Sequence, residues 1–341
     1  MAIDVHAHLY PPAYLDAVRP LEHAGGAVGA AAQRTLHAFI RQDPVFTDAL
    51  DERLALMDAA GVERQVLSFS TPNIWHPDVA VRSALVRAFN DACAEVAAQY
   101  PGRFALFASV PLPFVDAAIA EAARALDELG AVGIGICTHI ADRPVDAPEF
   151  EPFYAYLDAR GAALFFHPDG FCAPGVLDEY LLAWGVGVLF DDTLAALRLA
   201  ASGLVARYPR ITWIVPHLGG TLPFVIGRLD RVWRNGQRFG LLSPAQAALP
   251  ELPSVYLRRL YYDTVTYQVN ALALAREGLG VERLVFGSDF PYNSRQNLAT
   301  GREQLAAAGF TPAEIARVLR DNIAGVLGLA QTAEGPSCPP G

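Results

Sequence analysis

Lysine is absent from all 341 residues; the 26 basic side chains are arginine throughout. That absence excludes a Schiff-base lysine, a phosphate-loop lysine and a carbamylated lysine bridging two metals. Cysteine is scarce as well. Cys93, Cys137, Cys172 and Cys338 form no CxxC pair, so neither a thiolate zinc site nor a disulfide framework is indicated, and a reducing cytoplasm is the expected compartment. No uncharged apolar run reaches the ~18 residues of a membrane span, and no membrane partner is expected. The opening MAIDVHAHLY lacks a basic stretch followed by an apolar one, so no signal peptide is expected. Positive charge is outnumbered 26 to 36, and the net charge of −10 argues against nucleic acid as the main partner.

What the chain does have is apolar material, 52% of residues against 18% charged, enough for burial to outweigh chain entropy. Its length fits two ordinary domains or one large α/β barrel. Short apolar runs near 2–8, 63–70, 103–110, 131–139, 163–168, 211–217, 259–265 and 284–290 read as strands covered on both faces. Helical patterns separate them. In 115–129, Val115, Ile119, Ala122, Leu126 and Leu129 recur at helical spacing; 192–207 reads as another helix, with Asp192 and Thr193 as caps. Eight such units predict a (β/α)8 TIM barrel over 1–330. No GxGxxG follows the first strand, which disfavours an open dinucleotide-binding sheet. The stretch 11–46 is too long for a simple connection and reads as an inserted lid or subdomain. The tail 331–341 is polar and Pro-rich and is expected to be mobile.

Polar residues gather at predicted strand ends. His6 and His8 stand two apart in the first strand and so project to one side. His167 ends the fifth strand, His217 the sixth and Asp289 the eighth. Barrel active sites form at the C-terminal strand ends, so these side chains are expected to converge. Taken singly, each has an ordinary reading: a hydrogen-bonded histidine pair, a core histidine, a helix-capping aspartate. Together they suit one borderline divalent cation, with His6, His8, His167 and Asp289 as ligands and His217 left as a general acid or base. Asp263 and Thr264, at the end of the seventh strand, are read as shaping the mouth or orienting a ligand histidine.

These motifs, DVHAH at 4–8, FFHP at 165–168, PHLGG at 216–220 and GSDFPY at 287–292, resemble the amidohydrolase superfamily. The similarity is to its amidohydrolase-2 branch, which includes aminocarboxymuconate-semialdehyde decarboxylase and the non-oxidative aromatic acid decarboxylases. The resemblance runs from residue 2 to about 329. It implies the same four ligands around one metal, zinc first and manganese second, with His217 and Asp289 as the catalytic pair. It also implies arginines that hold a small carboxylate substrate, one of them from a neighbouring subunit. Arg41, twelve residues before Arg53, and Arg228, eleven after His217, match these by spacing. Arginine suits the task because its planar fork pairs with a carboxylate. Trp184 and Tyr292 are candidate pocket walls, and a homodimer is expected. The reaction implied is non-oxidative decarboxylation of a small unsaturated or aromatic acid. The alternative on the same site is hydrolysis of a lactone, amide or ring C–N bond.

Overall fold

The computed structural model describes residues 1–20, 40–70, 73–141, 143–169, 177, 179–292 and 294–329. Eight parallel strands form one sheet in chain order: β1 (Ala2–His8), β2 (Val62–Ser68), β3 (Phe104–Ser109), β4 (Gly133–Cys137), β5 (Ala163–His167), β6 (Thr212–Val215), β7 (Tyr261–Asp263) and β8 (Leu284–Val285). Backbone bonds from beyond β8 return to β1: Val5 N–H donates to Phe286 O at 2.9 Å and His8 N–H to Phe290 O at 2.6 Å. Ala7 also bridges Phe290 in parallel. The ring is thereby a (β/α)8 barrel, as the eight apolar runs predict.

Two apolar layers hold it. Ile3, Val5, Phe107, Phe165, Ile214 and Val285 belong to an inner cluster, with Phe107 and Phe165 stacked at 5.2 Å. A much larger cluster binds the strands to the surrounding helices. Both faces of each strand are covered, which is why the runs read as continuous rather than alternating. Strand β1 is buried along its whole length and breaks register between Asp4 and Ala7. Such a break re-aims the side chains that follow it. Within the break the His6 ring rests on Phe165 of the inner cluster, 5.2 Å between centroids.

The helix predicted over 115–129 is Val115–Asp127. The one predicted over 192–207 differs. It begins earlier, at Val188, ends at Ala201, and a separate turn runs from Leu204 to Arg207. Gly203, at φ 80°, interrupts it. Asp192 and Thr193 therefore lie inside the helix and cap nothing. Helix Val79–Gln99 begins at Asp78, whose side chain accepts from the N–H groups of Ala80 and Val81. Of the stretch 11–46, Pro12–Val18 is helical and Pro44–Phe46 a single turn, while 21–39 and the tail 331–341 lie outside the described residues. No described helix is long and apolar enough to cross a membrane.

Candidate active site

At the C-terminal end of the barrel the structure brings His6, His8, His167 and Asp289 together. One ligand atom from each lies within 4.8 Å of all the others. His6 Nε2 and His8 Nε2 stand 3.3 and 3.1 Å from Asp289 Oδ1. Each imidazole is held by its other nitrogen. His6 Nδ1 faces Asp263 Oδ2 at 2.6 Å. His8 Nδ1 lies 3.2 Å from Ser68 O, and His167 Nδ1 lies 2.9 Å from Pro168 O. That arrangement fixes which nitrogen a cation would meet.

The donor set passes a direct test for a metal. His6 Nε2 is buried and has no hydrogen-bond partner, a costly state that coordination would relieve. Burial pushes His8 down to about 4, and burial followed by the neighbouring imidazoles holds His167 well below its ordinary value. Both are therefore neutral, as ligation requires; burial opposes a charge on His6, but Asp263 and Asp289 raise it to about 9, so a cation binding there would displace a proton. Burial alone would push Asp289 up, but His6 and His217 hold it well below the usual carboxylate range, so it is an anionic donor.

Two further carboxylates organise the centre. Asp263 is fully buried. Besides holding His6, it accepts from His217 N–H at 2.8 Å and Val265 N–H at 3.0 Å through Oδ1. Asp4, also fully buried, accepts from His6 N–H at 3.2 Å, Gln65 Nε2 at 2.9 Å, and Ser288 through both its N–H (2.9 Å) and its hydroxyl (2.6 Å). It ties the HxH strand to the GSD turn. Gln65 in turn accepts from Arg53 Nε at 2.8 Å, and Arg53 Nη2 donates to His8 O at 2.8 Å.

His217 is placed by the PHLGG turn. His217 and Leu218 have φ of 52° and 57°, a region costly for residues with a Cβ. Gly220 makes the turn feasible, since a Cβ there would meet Leu189 O at 1.9 Å. His217 Nδ1 lies 2.9 Å from Asp192 Oδ2 and its Nε2 lies 3.9 Å from Asp289 Oδ2. Burial opposes protonation, but Asp192 and then Asp289 overcome it and hold His217 well above its ordinary value. Asp192 itself is pushed up to about 6 by burial. Its role is absent from the sequence reading, which treats it as a cap. The available signal was an Asp191–Asp192 pair inside an otherwise apolar helical run.

The remaining predicted site residues are spread more widely. Tyr292 stands beside the centre, its ring 5.7 Å from that of His8 and its hydroxyl 2.7 Å from that of Tyr10. Arg41 is half-buried and donates to Leu15 O at 3.1 Å. Arg228 is exposed on helix Leu222–Phe239, and Trp184 is 51% exposed before helix Val188–Ala201. His139 lies in a short hairpin after β4, where Asp191 accepts from it at 2.8 Å.

Comparison with known proteins gives a consistent picture. The family model described as amidohydrolase matches residues 3–329. The chain is 29% identical over 290 residues to a gamma-resorcylate decarboxylase of Rhizobium sp. (strain MTP-10005), covering 81% of this chain and 86% of that protein. It is 26% identical over 303 residues to a 2-amino-3-carboxymuconate-6-semialdehyde decarboxylase of Dictyostelium discoideum, covering 86% and 82%. Among solved structures, 5-carboxyvanillate decarboxylase of Sphingomonas paucimobilis superposes with a TM-score of 0.85 at 26% identity, over 96% of this chain and 98% of that one. The corresponding enzyme of Novosphingobium aromaticivorans, with bound manganese and a nitrobenzoic acid, gives 0.83 at 21% identity, over 96% and 97%.

Proposed function

The chain belongs to the amidohydrolase family, and from that premise we propose that it is a metal-dependent, non-oxidative decarboxylase of a small aromatic or unsaturated carboxylic acid. The observation that carries the reading is the convergence of three imidazoles and a carboxylate at the barrel's open end, beside the His217–Asp192 pair. The named decarboxylases among its relatives support the choice of reaction.

A single divalent ion is the cofactor, held by His6, His8, His167 and Asp289. Three imidazoles and one carboxylate suit zinc and manganese alike, and the manganese in the Novosphingobium enzyme makes manganese the ion to load first. When bound, such an ion polarises a substrate oxygen and draws the pKa of bound water toward neutrality.

The chemical difficulty is the carbanion left when CO2 departs. Protonating the carbon that bears the carboxylate first removes it. The electron pair of the breaking C–C bond then restores the conjugation that protonation interrupted. His217 and Asp289 are the groups placed to handle that proton, at Nε2 and Oδ2. They keep 11% and 14% exposure while His6 and His8 keep none, so they edge the mouth where a substrate arrives. Asp192 supports a protonated His217 as the donor.

Tyr292, Arg41, Arg228 and Trp184 are the proposed substrate contacts, with Tyr292 supported by its seat beside His8. Arg228 lies one turn beyond Phe224, which is 84% exposed on the same helix. A homodimer in which a second copy of the chain covers Phe224 and takes Arg228 from its neighbour is part of the same reading.

The test is a panel of hydroxybenzoates and carboxymuconate-type acids with manganese-loaded protein. CO2 release with no net uptake of water is the expected result. Absence of CO2 throughout, with acid released from lactones or amides instead, would replace the reading with a hydrolase.

A further inference from the structure

Alongside the four-residue centre lies a narrow recess, open to solvent, whose walls are largely apolar: Phe69, Val86, Val110, Leu112, Ile136 and Phe165. His167 of the metal centre lines it, and so does Arg82. Arg82 stands in the first turn of helix Val79–Gln99 and is only 2% exposed. Its guanidinium lies over the Trp75 ring at 4.7 Å. Yet Nε and Nη1, both buried, have no hydrogen-bond partner.

A buried guanidinium with two unpartnered nitrogens is expensive, because each lost hydrogen bond to water goes uncompensated. Arg53, as deeply buried, is better satisfied: it donates to Gln65 and to His8 O and leaves Nη1 alone unpartnered. No carboxylate among the described residues lies within ion-pair distance of Arg82. Asp169 is near enough to favour its charge, but its carboxylate accepts from Asn73 N–H instead. Burial pulls Arg82 down to about 10, which still leaves it cationic at neutral pH.

An apolar slot with a metal-binding imidazole and an unmatched cation in its wall is complementary to a flat ring bearing an anion. We propose that Arg82 is the anion anchor of this recess, and that the substrate is a planar aromatic or unsaturated acid with a second anionic group that is retained through the reaction. The anchored group is the retained one because a departing carboxylate must shed its charge as CO2. An ion pair to it would stabilise the ground state and raise the barrier. The proposal rests on the decarboxylase reading for the identity of the reacting group.

Isothermal titration of manganese-loaded protein with isophthalate and with benzoate, two unreactive probes differing by one carboxylate, tests it directly. Wild-type protein is expected to bind isophthalate about 10–100-fold more tightly than benzoate, the worth of a charge-assisted hydrogen bond. Arg82→Met is expected to abolish that preference while leaving benzoate affinity within about threefold, and Arg82→Lys to retain part of it. Should the methionine variant fail to fold, Arg82→Gln makes the same comparison with a neutral polar side chain. Equal affinities in the wild type, or a preference that survives Arg82→Met or Arg82→Gln, would overturn the proposal. CO2 release from the acid panel, followed in parallel, separates the two claims. A diacid preference that depends on Arg82 in a protein releasing no CO2 would sink the decarboxylase and keep the anchor. CO2 release without the preference would sink the anchor alone.

Discussion

Asp263 and Asp192 each steady one imidazole, and the consequences of removing them differ. Asp263 Oδ2 fixes His6 Nδ1 at 2.6 Å and leaves Nε2 as the nitrogen that would meet the proposed ion. Asp263→Asn keeps the size but weakens that hold, and is expected to cost about 10–100-fold in metal affinity, read by competition with a chelating dye. Asp192 is the largest influence raising His217. A raised value keeps the imidazolium present to higher pH. Asp192→Asn removes the support, so the proton leaves at lower pH. The alkaline limb of kcat is therefore expected to move down by about one pH unit or more, whereas an unchanged limb would remove His217 from the role of acid. At this scale the sequence was informative where residue type and spacing coincide. His6, His8 and His167 stand at strand ends, Asp263 ends the seventh strand, and Asp289 follows the eighth. It was silent on Asp192, because a helical aspartate beside a predicted boundary looks like a cap until the helix is seen to start at Val188.

Strands β7, β8 and β1 meet where the GSD turn passes between the two side chains it must bring together. A Cβ on Gly287 would lie 2.8 Å from the Cβ of Asp263 and 2.9 Å from that of His6. Nothing larger than hydrogen fits there unless the strands move. Gly287→Ala is expected to cost about 1–3 kcal/mol of stability through overpacking and, more tellingly, to lower bound metal per chain. Thermal unfolding together with elemental analysis checks both. The eight strands were legible because each is a short apolar run bounded by polar or turn residues, and helix Val115–Asp127 because its apolar face recurs at helical spacing. The helix ending at Ala201 was not, since Gly203 sits in a run of helix formers and only its φ of 80° reveals the interruption. The turn of β1 that carries His6 onto Phe165 was equally hidden, because alternation alone says nothing about a register break.

For the molecule as a whole, the barrel supplies a rim on which strands far apart in sequence present their ends to one point, and the metal completes it. A ligand that binds only the folded state stabilises it by mass action. Removal of the ion is thus expected to lower the midpoint of thermal unfolding, and readdition to restore it. The fold and the convergence of the four side chains could be anticipated because both follow from residue type at strand ends. The recess beside them could not, since it is made by residues just beyond β2, at the end of β3, in β4 and β5 and on helix Val79–Gln99 that no sequence pattern groups together. The account stands or falls on a single ion held by those four side chains. The most direct measurement is activity against manganese added to chelator-stripped protein. CO2 release is predicted to rise linearly and to saturate at one ion per chain, and to be lost in His167→Ala. Full activity in the stripped protein, or undiminished activity in that variant, would contradict it.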